Sequence, residues 1–570
     1  MAIRGRQVRS RASIRFWLAA AFFVCGFAQA QDETFDITRF EVEGNSLLAP
    51  AHVEALVAPF AGRKRVYGDI QKALEALENA YRASGYGTVQ VHVPEQELTQ
   101  GVVRLRVTEG VVAKIAVTGN KFFDNANVRA TLPSLQEGKA PNMRALSEDI
   151  QLANENPAKQ VEVTLGVGDN EGTVNAKVNV VDENPEKYIV TLDNTGSAAT
   201  GKHRIGFAYQ NANVHNADQV MTLAYTTSPD APRGVEVDVY SFAYRLPLYS
   251  IGDSVDVIYG KSSVNTPIPQ TTGFNLAGKG DVFGLRWNHY FARRGEYTSK
   301  LIAGVDYKYI NTTCTTNGVP QAIDPPNGGG ASCTPYTLRP LSLTYTGQRL
   351  SPGRLLDYSL AAVHNVSLGN SYNYTTIDGA AGSDRYSMVA SNRAVPNDFA
   401  YVKGTFNYLR ALPEDWAARL AVSAQYSPTA LPSPEQIGIA GAMAVRGFNE
   451  RAVTGDKGFF VNVEVYTPEL ASHVGVPGSL KAVGFYDFGR SISYSVNRTS
   501  METSYEKGGI ASLGVGLRYA IAKDVSFKVD LATVIDAGPS DIVPGTTAAT
   551  PANTESRGDW RGHFGLQVTF

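Results

Sequence analysis

The chain has 570 residues, a length that calls for several domains or one large barrel. Its 52 lysines and arginines are balanced by 54 aspartates and glutamates, so neither a basic excess for nucleic acid nor an acidic solvating tail is present. Charged residues make up only 19%, below the roughly 25% of an ordinary soluble domain, while glycine (54) and tyrosine (28) are abundant, as a bilayer-facing barrel requires.

Residues 1–30 read as a secretory signal. Arg4, Arg6, Arg9, Arg11 and Arg15 form its positive region. Phe16 to Phe27 is apolar but too short to span a bilayer, and Ala28-Gln29-Ala30 fits a small-x-small cleavage site. Phe22-Phe23-Val24 before Cys25 lacks the small residues of a lipoprotein site. After the signal no run of about 18 apolar residues occurs, which rules out a helical span and leaves a closed barrel as the membrane option.

Residues 35–185 mix helix and strand, and they repeat. Phe40-Glu41-Val42-Glu43-Gly44-Asn45 returns as Ile115-Ala116-Val117-Thr118-Gly119-Asn120, and Asp69-Ile70-Gln71 returns as Asp149-Ile150-Gln151. Two ordered matches at nearly one offset imply two tandem small domains, placed at 31–110 and 111–185. In the first, Phe35 to Val42 reads as a strand and Pro50 to Ala58 as a short helix with proline in its first turn. From Asp69, the positions Ile70, Ala73, Leu74, Leu77 and Tyr81 share one helical face until Gly85 stops it. Val89, Val91 and Val93, then Val103, Leu105 and Val107, alternate with polar residues as two half-buried strands. The order β-α-α-β-β predicts a small α+β unit.

From residue 186 onward the pattern changes to short alternating strands. Val235, Val237 and Val239 alternate with Glu236 and Asp238, Leu301 to Tyr309 with Lys300, Asp306 and Lys308, and Val525 to Leu531 with Ser526, Lys528 and Asp530. Alternation alone fits a sandwich with apolar residues inside or a barrel with apolar residues outside. About sixteen such segments, an even number, favour the barrel. So do the gaps, which alternate between tight turns (Pro413-Glu414-Asp415) and long loops (Asn311 to Pro335). The chain also ends inside a strand, on the aromatic Phe570. The expected fold is mainly β: a transmembrane antiparallel barrel of about sixteen strands over 186–570, after two α+β domains.

Catalytic and cofactor chemistry find no footing. The eight histidines are scattered without ligand spacing, so neither metal nor cofactor is expected, and the chain does not read as an enzyme. Gly196 to Lys202 mimics a phosphate loop, but His203 stands where Ser or Thr is required. Cys314 and Cys333 flank a Gly/Pro/Asn-rich stretch. In an oxidising compartment they are expected to form a disulfide closing an exposed loop, worth about 3 kcal/mol in the chain-entropy model.

The segment from Phe35 to Gly110, with Gly44-Asn45, Ala80-Tyr81-Arg82, Gly85-Tyr86, Pro94-Glu95-Gln96 and Val107-Thr108-Glu109-Gly110, resembles a polypeptide-transport-associated (POTRA) domain. Asp193-Asn194-Thr195-Gly196, the run Ala440 to Phe448 and Phe485-Tyr486-Asp487-Phe488-Gly489 follow in order. Together they resemble two-partner secretion transporters, the haemolysin secretion/activation proteins. The resemblance implies a bacterial outer-membrane protein with periplasmic POTRA domains that recognises and exports an unfolded partner exoprotein of adhesin or haemolysin type. Its other expected partners are outer-membrane lipid and, during biogenesis, the barrel-assembly machinery. A barrel-assembly factor of the same superfamily is the alternative, though such proteins usually carry more POTRA domains.

The resemblance also implies site residues. A long loop near 431–456 folds into the lumen, and Arg446 of its V-R-G-F motif (Val445, Arg446, Gly447, Phe448) pairs with Asp487 of F-x-D-x-G (Phe485, Asp487, Gly489). Arginine suits the task because it gives a carboxylate two parallel hydrogen bonds. Phe448 departs from the tyrosine common at that position and lacks its hydroxyl. Only Gln31 to Thr34 separate the cleavage site from the first strand, so the plug helix and linker of many members are expected to be absent. Thr88, Val89, Val91 and Val93 are the expected cargo-binding sheet edge, and Phe570 the barrel's C-terminal assembly signal.

Overall fold

A computed structural model describes residues 34–97, 99–198, 200–263, 279–310, 315–316, 319–320, 336–368, 386, 395–496, 503–538 and 555–570. The signal at 1–30 and the Cys314–Cys333 pair lie outside the described residues.

The first compact unit spans residues up to Tyr81 together with Gln90–Thr108. The expected first strand is two: β1 (Phe35–Ile37) and β2 (Arg39–Glu43), parted where the Thr38 N–H turns aside to Gly101 O at 2.7 Å. After α1 (Pro50–Val57), β3 (Gly62–Arg65) pairs back on β1, a two-stranded ladder that the polar run Gly62-Arg63-Lys64-Arg65 did not announce. Helix α2 (Tyr67–Ala83) buries Ile70, Ala73, Leu77 and Tyr81. It covers a sheet in which β5 (Val102–Thr108) lies centrally between parallel β2 and antiparallel β4 (Gln90–His92). The Gly44-Asn45 pair has a clear task. Gly44 takes φ +81°, and a Cβ there would stand 2.3 Å from Val107 O, so only glycine fits. Asn45 Oδ1 then accepts the buried Tyr81 hydroxyl at 2.6 Å, locking the turn to α2.

The second unit begins with the same plan: β6 (Val111–Thr118), α3 (Asn125–Ala130), α4 (Met143–Ala153), β7 (Lys159–Val167) and β8 (Thr173–Asp182), with β8 central and parallel to β6. Gly119 mirrors Gly44, with φ +89° and Val180 O 2.3 Å from a hypothetical Cβ. The second repeat match is not equivalent in place. Asp69 sits in the first turn of α2, where it accepts Val66 N–H, while Asp149 lies inside α4 and accepts Ser134 N–H.

The barrel follows in the same unit. Its strands are β9 (Glu186–Asp193), β10 (Arg204–Val214), β11 (Gln219–Thr227), β12 (Asp238–Leu248), β13 (Asp253–Ser262), β14 (Gly280–Arg294) and β15 (Tyr297–Ile310). A two-residue pair, β16 (Thr315–Thr316) and β17 (Val319–Pro320), belongs to a loop. Next come β18 (Tyr336–Leu338) and β19 (Pro340–Ser351), both paired with β15 and so one stave interrupted at Arg339. Then follow β20 (Arg354–Asn365), β21 (Ala400–Ala411) and β22 (Ala417–Tyr426). A small ladder, β23 (Ile437–Gly438) with β24 (Thr454–Gly455), precedes β25 (Lys457–Tyr466), β26 (Ser479–Val496), β27 (Thr503–Ile521), β28 (Val525–Asp536) and β29 (Trp560–Thr569). Each stave runs antiparallel to the next, and β29 pairs with β9 to close 16 strands. Val235 and Val237 precede β12, so that strand starts later than the alternation suggested. At the seam Phe570 and Tyr188 exchange both main-chain hydrogen bonds, at 2.8 and 3.1 Å.

The question left open by alternation is answered by β15. Val305 and Tyr307 are exposed on the outer face at 52% and 45%. Asp306 and Lys308 turn inward, to Arg286 and Glu435 at 2.6 Å each. The apolar face therefore meets lipid and the charges line the lumen.

The second α+β domain is joined to the barrel through polar contacts in an apolar setting. Lys159, with its side chain fully buried, donates to Asp218 in the β10–β11 turn at 2.5 Å and to Asn127 Oδ1 at 2.9 Å. Tyr249 donates to the same aspartate at 2.6 Å, and Asn156 reaches Ala212 O at 2.7 Å. Burial pushes the Lys159 ammonium down from its ordinary pKa, and the Asp218 carboxylate opposes this. From α4 and its end, Gln151 reaches Ser299 O at 3.1 Å, and Glu155 holds Lys300 at 2.7 Å and Arg245 at 3.3 Å.

Candidate functional site: a loop anchored in the lumen and a short sheet edge

Between β22 and β25 the chain turns inward. Asp456 closes the neck, its Oδ1 accepting Leu431 N–H at 2.8 Å and Gln436 Nε2 at 2.9 Å, its Oδ2 accepting Tyr494 N–H at 2.7 Å. The β23–β24 ladder carries the two limbs forward, and Ile439 N–H bonds Val453 O at 2.9 Å. At the tip, Gly441 N–H bonds Val445 O and Val445 N–H bonds Ile439 O, both at 3.0 Å. Arg446 is thereby presented from a stiff turn.

Its guanidinium meets Asp487 of β26 through Nε at 2.7 Å and Nη2 at 2.8 Å, and the Arg446 N–H adds a third bond at 3.1 Å. Nη1 turns to Glu464 of β25 at 2.9 Å and stands 3.5 Å from Asp530 of β28. Asn462 Nδ2 bridges Asp487 and Ala444 O, at 2.8 and 2.7 Å. Arg419 pairs with Glu464 at 2.9 Å and Arg518 with Asp530 at 2.7 Å. Three arginines thus face three carboxylates, an arrangement that balances charge around a group taken almost out of solvent.

The rest of the two motifs follows from strand geometry. Phe485, Asp487 and Gly489 lie two apart on β26 and so share the lumen face. The Phe485 ring lies under the guanidinium, 3.5 Å from centroid to Cζ. At Gly489 a Cβ would stand 3.0 Å from Val445 Cγ2 and 3.3 Å from Ile439 Cβ, so glycine leaves room for the loop. Gly447, at φ +94°, donates its N–H to His563 Nε2 at 3.0 Å. Phe448 is fully buried among Ile439, Val445, Val453, Ile510 and Val534, an apolar socket in which a hydroxyl is not needed. Beside the loop lies a lumen cavity of about 1310 Å³, bordered by Lys403, Arg419, Lys481, Arg518 and Lys528 among others.

Glu464, Asp530 and His563 were not singled out from sequence. Period two marks each as inward-facing, but contact with Arg446 or its neighbour Gly447 depends on how the strands of the closed barrel curve together.

The sheet edge is shorter than its alternation suggested. Only Gln90–His92 forms β4, and Thr88, Val89 and Val93 flank it. Pro94 has no N–H to extend the ladder, and the Gln96 carboxamide takes over, exchanging two 2.8 Å bonds with the Arg104 main chain. Among the described residues β4 pairs with β5 alone, and the Val91 N–H turns to α2, where Glu78 accepts it at 3.2 Å.

Comparisons with known proteins agree with this geometry. The model of the haemolysin secretion/activation protein ShlB/FhaC/HecB family matches residues 172–319 and 339–519, and the ShlB-type POTRA domain matches 35–110. The chain belongs to this family. It is a two-partner secretion transporter of the outer membrane, with its POTRA domains on the periplasmic side. Among its relatives is the outer membrane transporter CdiB of Escherichia coli O6:K15:H31, 23% identical over 77% of this chain and 70% of the relative. The heme/hemopexin transporter protein HuxB of Haemophilus influenzae is 20% identical over 88% and 84%. The solved structure of CdiB from Escherichia coli superposes with a TM-score of 0.70 at 19% identity, covering 95% of this chain and 92% of that one.

Proposed function

We propose that this protein captures one unfolded exoprotein, of adhesin or haemolysin type, in the periplasm and exports it through the barrel lumen. The modules at 31–110 and 111–185 receive the cargo, and the barrel at 186–570 provides the path. Outer-membrane lipid surrounds the barrel, and the barrel-assembly machinery inserts it. The observation that carries the reading is the loop held inside the lumen by Arg446 on Asp487, which narrows an otherwise wide pore. With no ATP in the periplasm, folding of the cargo outside supplies direction.

Cargo is taken up by strand addition at β4, where main-chain bonds give affinity and alternate side chains give selectivity. Val91→Pro tests this edge. Val91 N–H bonds Glu78 rather than β5, so proline removes no rung of the β4–β5 ladder. A docking strand would take the Val91 N–H over from Glu78, and proline removes that donor; losing one main-chain bond, worth about 1 kcal/mol, and adding the ring's bulk should lower export by about tenfold. Folded barrel in the outer membrane should be unchanged, and normal export by this variant would exclude the edge.

A further inference from the structure

The inward loop touches the wall at a second place. Glu435, near its start, is enclosed, with a side-chain exposure of 2%. Its Oε1 accepts Lys308 Nζ of β15 at 2.6 Å, and its Oε2 accepts the Tyr401 hydroxyl of β21 at 2.6 Å. Gln425 of β22 donates to its main-chain carbonyl at 2.9 Å. On the returning limb, Arg451 donates to Ser433 O at 3.0 Å and Gln436 O at 3.2 Å, so Glu435 is held in a stiffened segment. In barrel order the loop's root, between β22 and β25, lies between the two attachments. Arg446 reaches β25, β26 and β28 on one side, and Glu435 reaches β21 and β15 on the other. The loop is a strap fixed at both ends.

The two ends differ in kind. Arg446 has two parallel bonds to Asp487, further carboxylates, a ring beneath it and the close-packed Gly489 beside its turn. Glu435 has one bond to an ammonium and one to a phenol. Beside it opens a polar cavity of about 380 Å³, bordered by Arg286, Asp306, Lys308, Tyr401 and Lys403. Water entering that space can solvate both partners as they separate, which lowers the cost of breaking a buried pair. Among the described residues bordering the cavity, Arg286, Lys308 and Lys403 of the wall and Arg451 of the loop stand against Asp306 and Glu435, so Glu435 is one of two carboxylates that offset a cationic region.

We propose that Glu435 is the releasable latch of the strap and Lys308 its keeper. The lumen opens when the Glu435 end lets go while Arg446 stays on Asp487. This deepens the export reading and rests on the lumen being the path, yet its test needs no cargo. Full-length protein in planar bilayers, with potassium chloride on both sides, would be compared as wild type, Glu435→Gln, Lys308→Met, and the exchange of Glu435→Lys with Lys308→Glu. Heat-modifiable electrophoretic mobility would show that each barrel is folded. Each single variant should raise the open-to-closed ratio by about tenfold, equivalent to about 1.4 kcal/mol. Glu435→Gln should also shift selectivity toward chloride, because it removes one of the two carboxylates that offset the cations there. The exchange should return gating toward wild type. Folded single variants that gate like wild type would overturn the latch, as would an exchange variant as open as the singles. Failure of the export reading would show elsewhere, as an unchanged set of secreted proteins when the gene is deleted.

Discussion

Arg446→Ala is expected to abolish most export while leaving a folded barrel in the membrane. The substitution removes two parallel hydrogen bonds and the charge that lets Asp487, Glu464 and Asp530 share one region of the lumen. Arg419 and Arg518 still partner Glu464 and Asp530, but among the described residues Asp487 keeps only Asn462 and the main-chain N–H at position 446. Breaking a buried pair costs roughly 3–5 kcal/mol, and the wet lumen lowers this, so the loop detaches without the barrel unfolding. Arg446→Lys should be intermediate, since an ammonium cannot make the paired contact to Asp487 and reach Glu464 together. Two measurements check this: exoprotein in the medium, which should fall by an order of magnitude or more, and protease sensitivity of residues 436–454, which should rise. Wild-type export with a protected loop would contradict it.

Lys159→Met is the second large effect. It leaves Asp218 buried without its cation, with only Tyr249 donating to the shared oxygen. Removing one partner from such a pair destabilises by roughly 3–5 kcal/mol because the remaining charge is uncompensated. Amide exchange over α3 and β7 in detergent-solubilised full-length protein should therefore accelerate about a hundredfold or more. Adding Asp218→Asn should recover much of the loss. Asn tolerates the positive φ of +58° found there and still accepts the Tyr249 hydroxyl. Slow exchange in the single variant would mean that the apolar cluster of Val112, Phe123, Val128 and Ala212 joins this domain to the barrel without the ion pair.

Much of this was legible in sequence because two periods suffice for it. The α2 face from Ile70 to Tyr81 and the lumen-lipid alternation of β15 are local patterns that burial enforces. The Gly44 and Gly119 turns show as a repeat because no other residue fits against the carbonyls they meet. The β1–β3 ladder was not legible, since Gly62-Arg63-Lys64-Arg65 carries no apolar alternation and gains its strand form from its partner alone. At the site, Arg446 and Asp487 were named through the family motifs, not from physics, because a lumen arginine looks like any other in one sequence. Glu464, Asp530 and His563 join that constellation, and Glu435 meets Lys308 and Tyr401 on the other side, only once the barrel closes and residues far apart in the chain are brought together.

The central claim is best tested by comparing the extracellular and outer-membrane proteomes with and without this gene. Loss of one large exoprotein, with other outer-membrane barrels unchanged, is the predicted result and would name the cargo. A broad fall in many outer-membrane barrels would contradict it and make this protein an assembly factor instead.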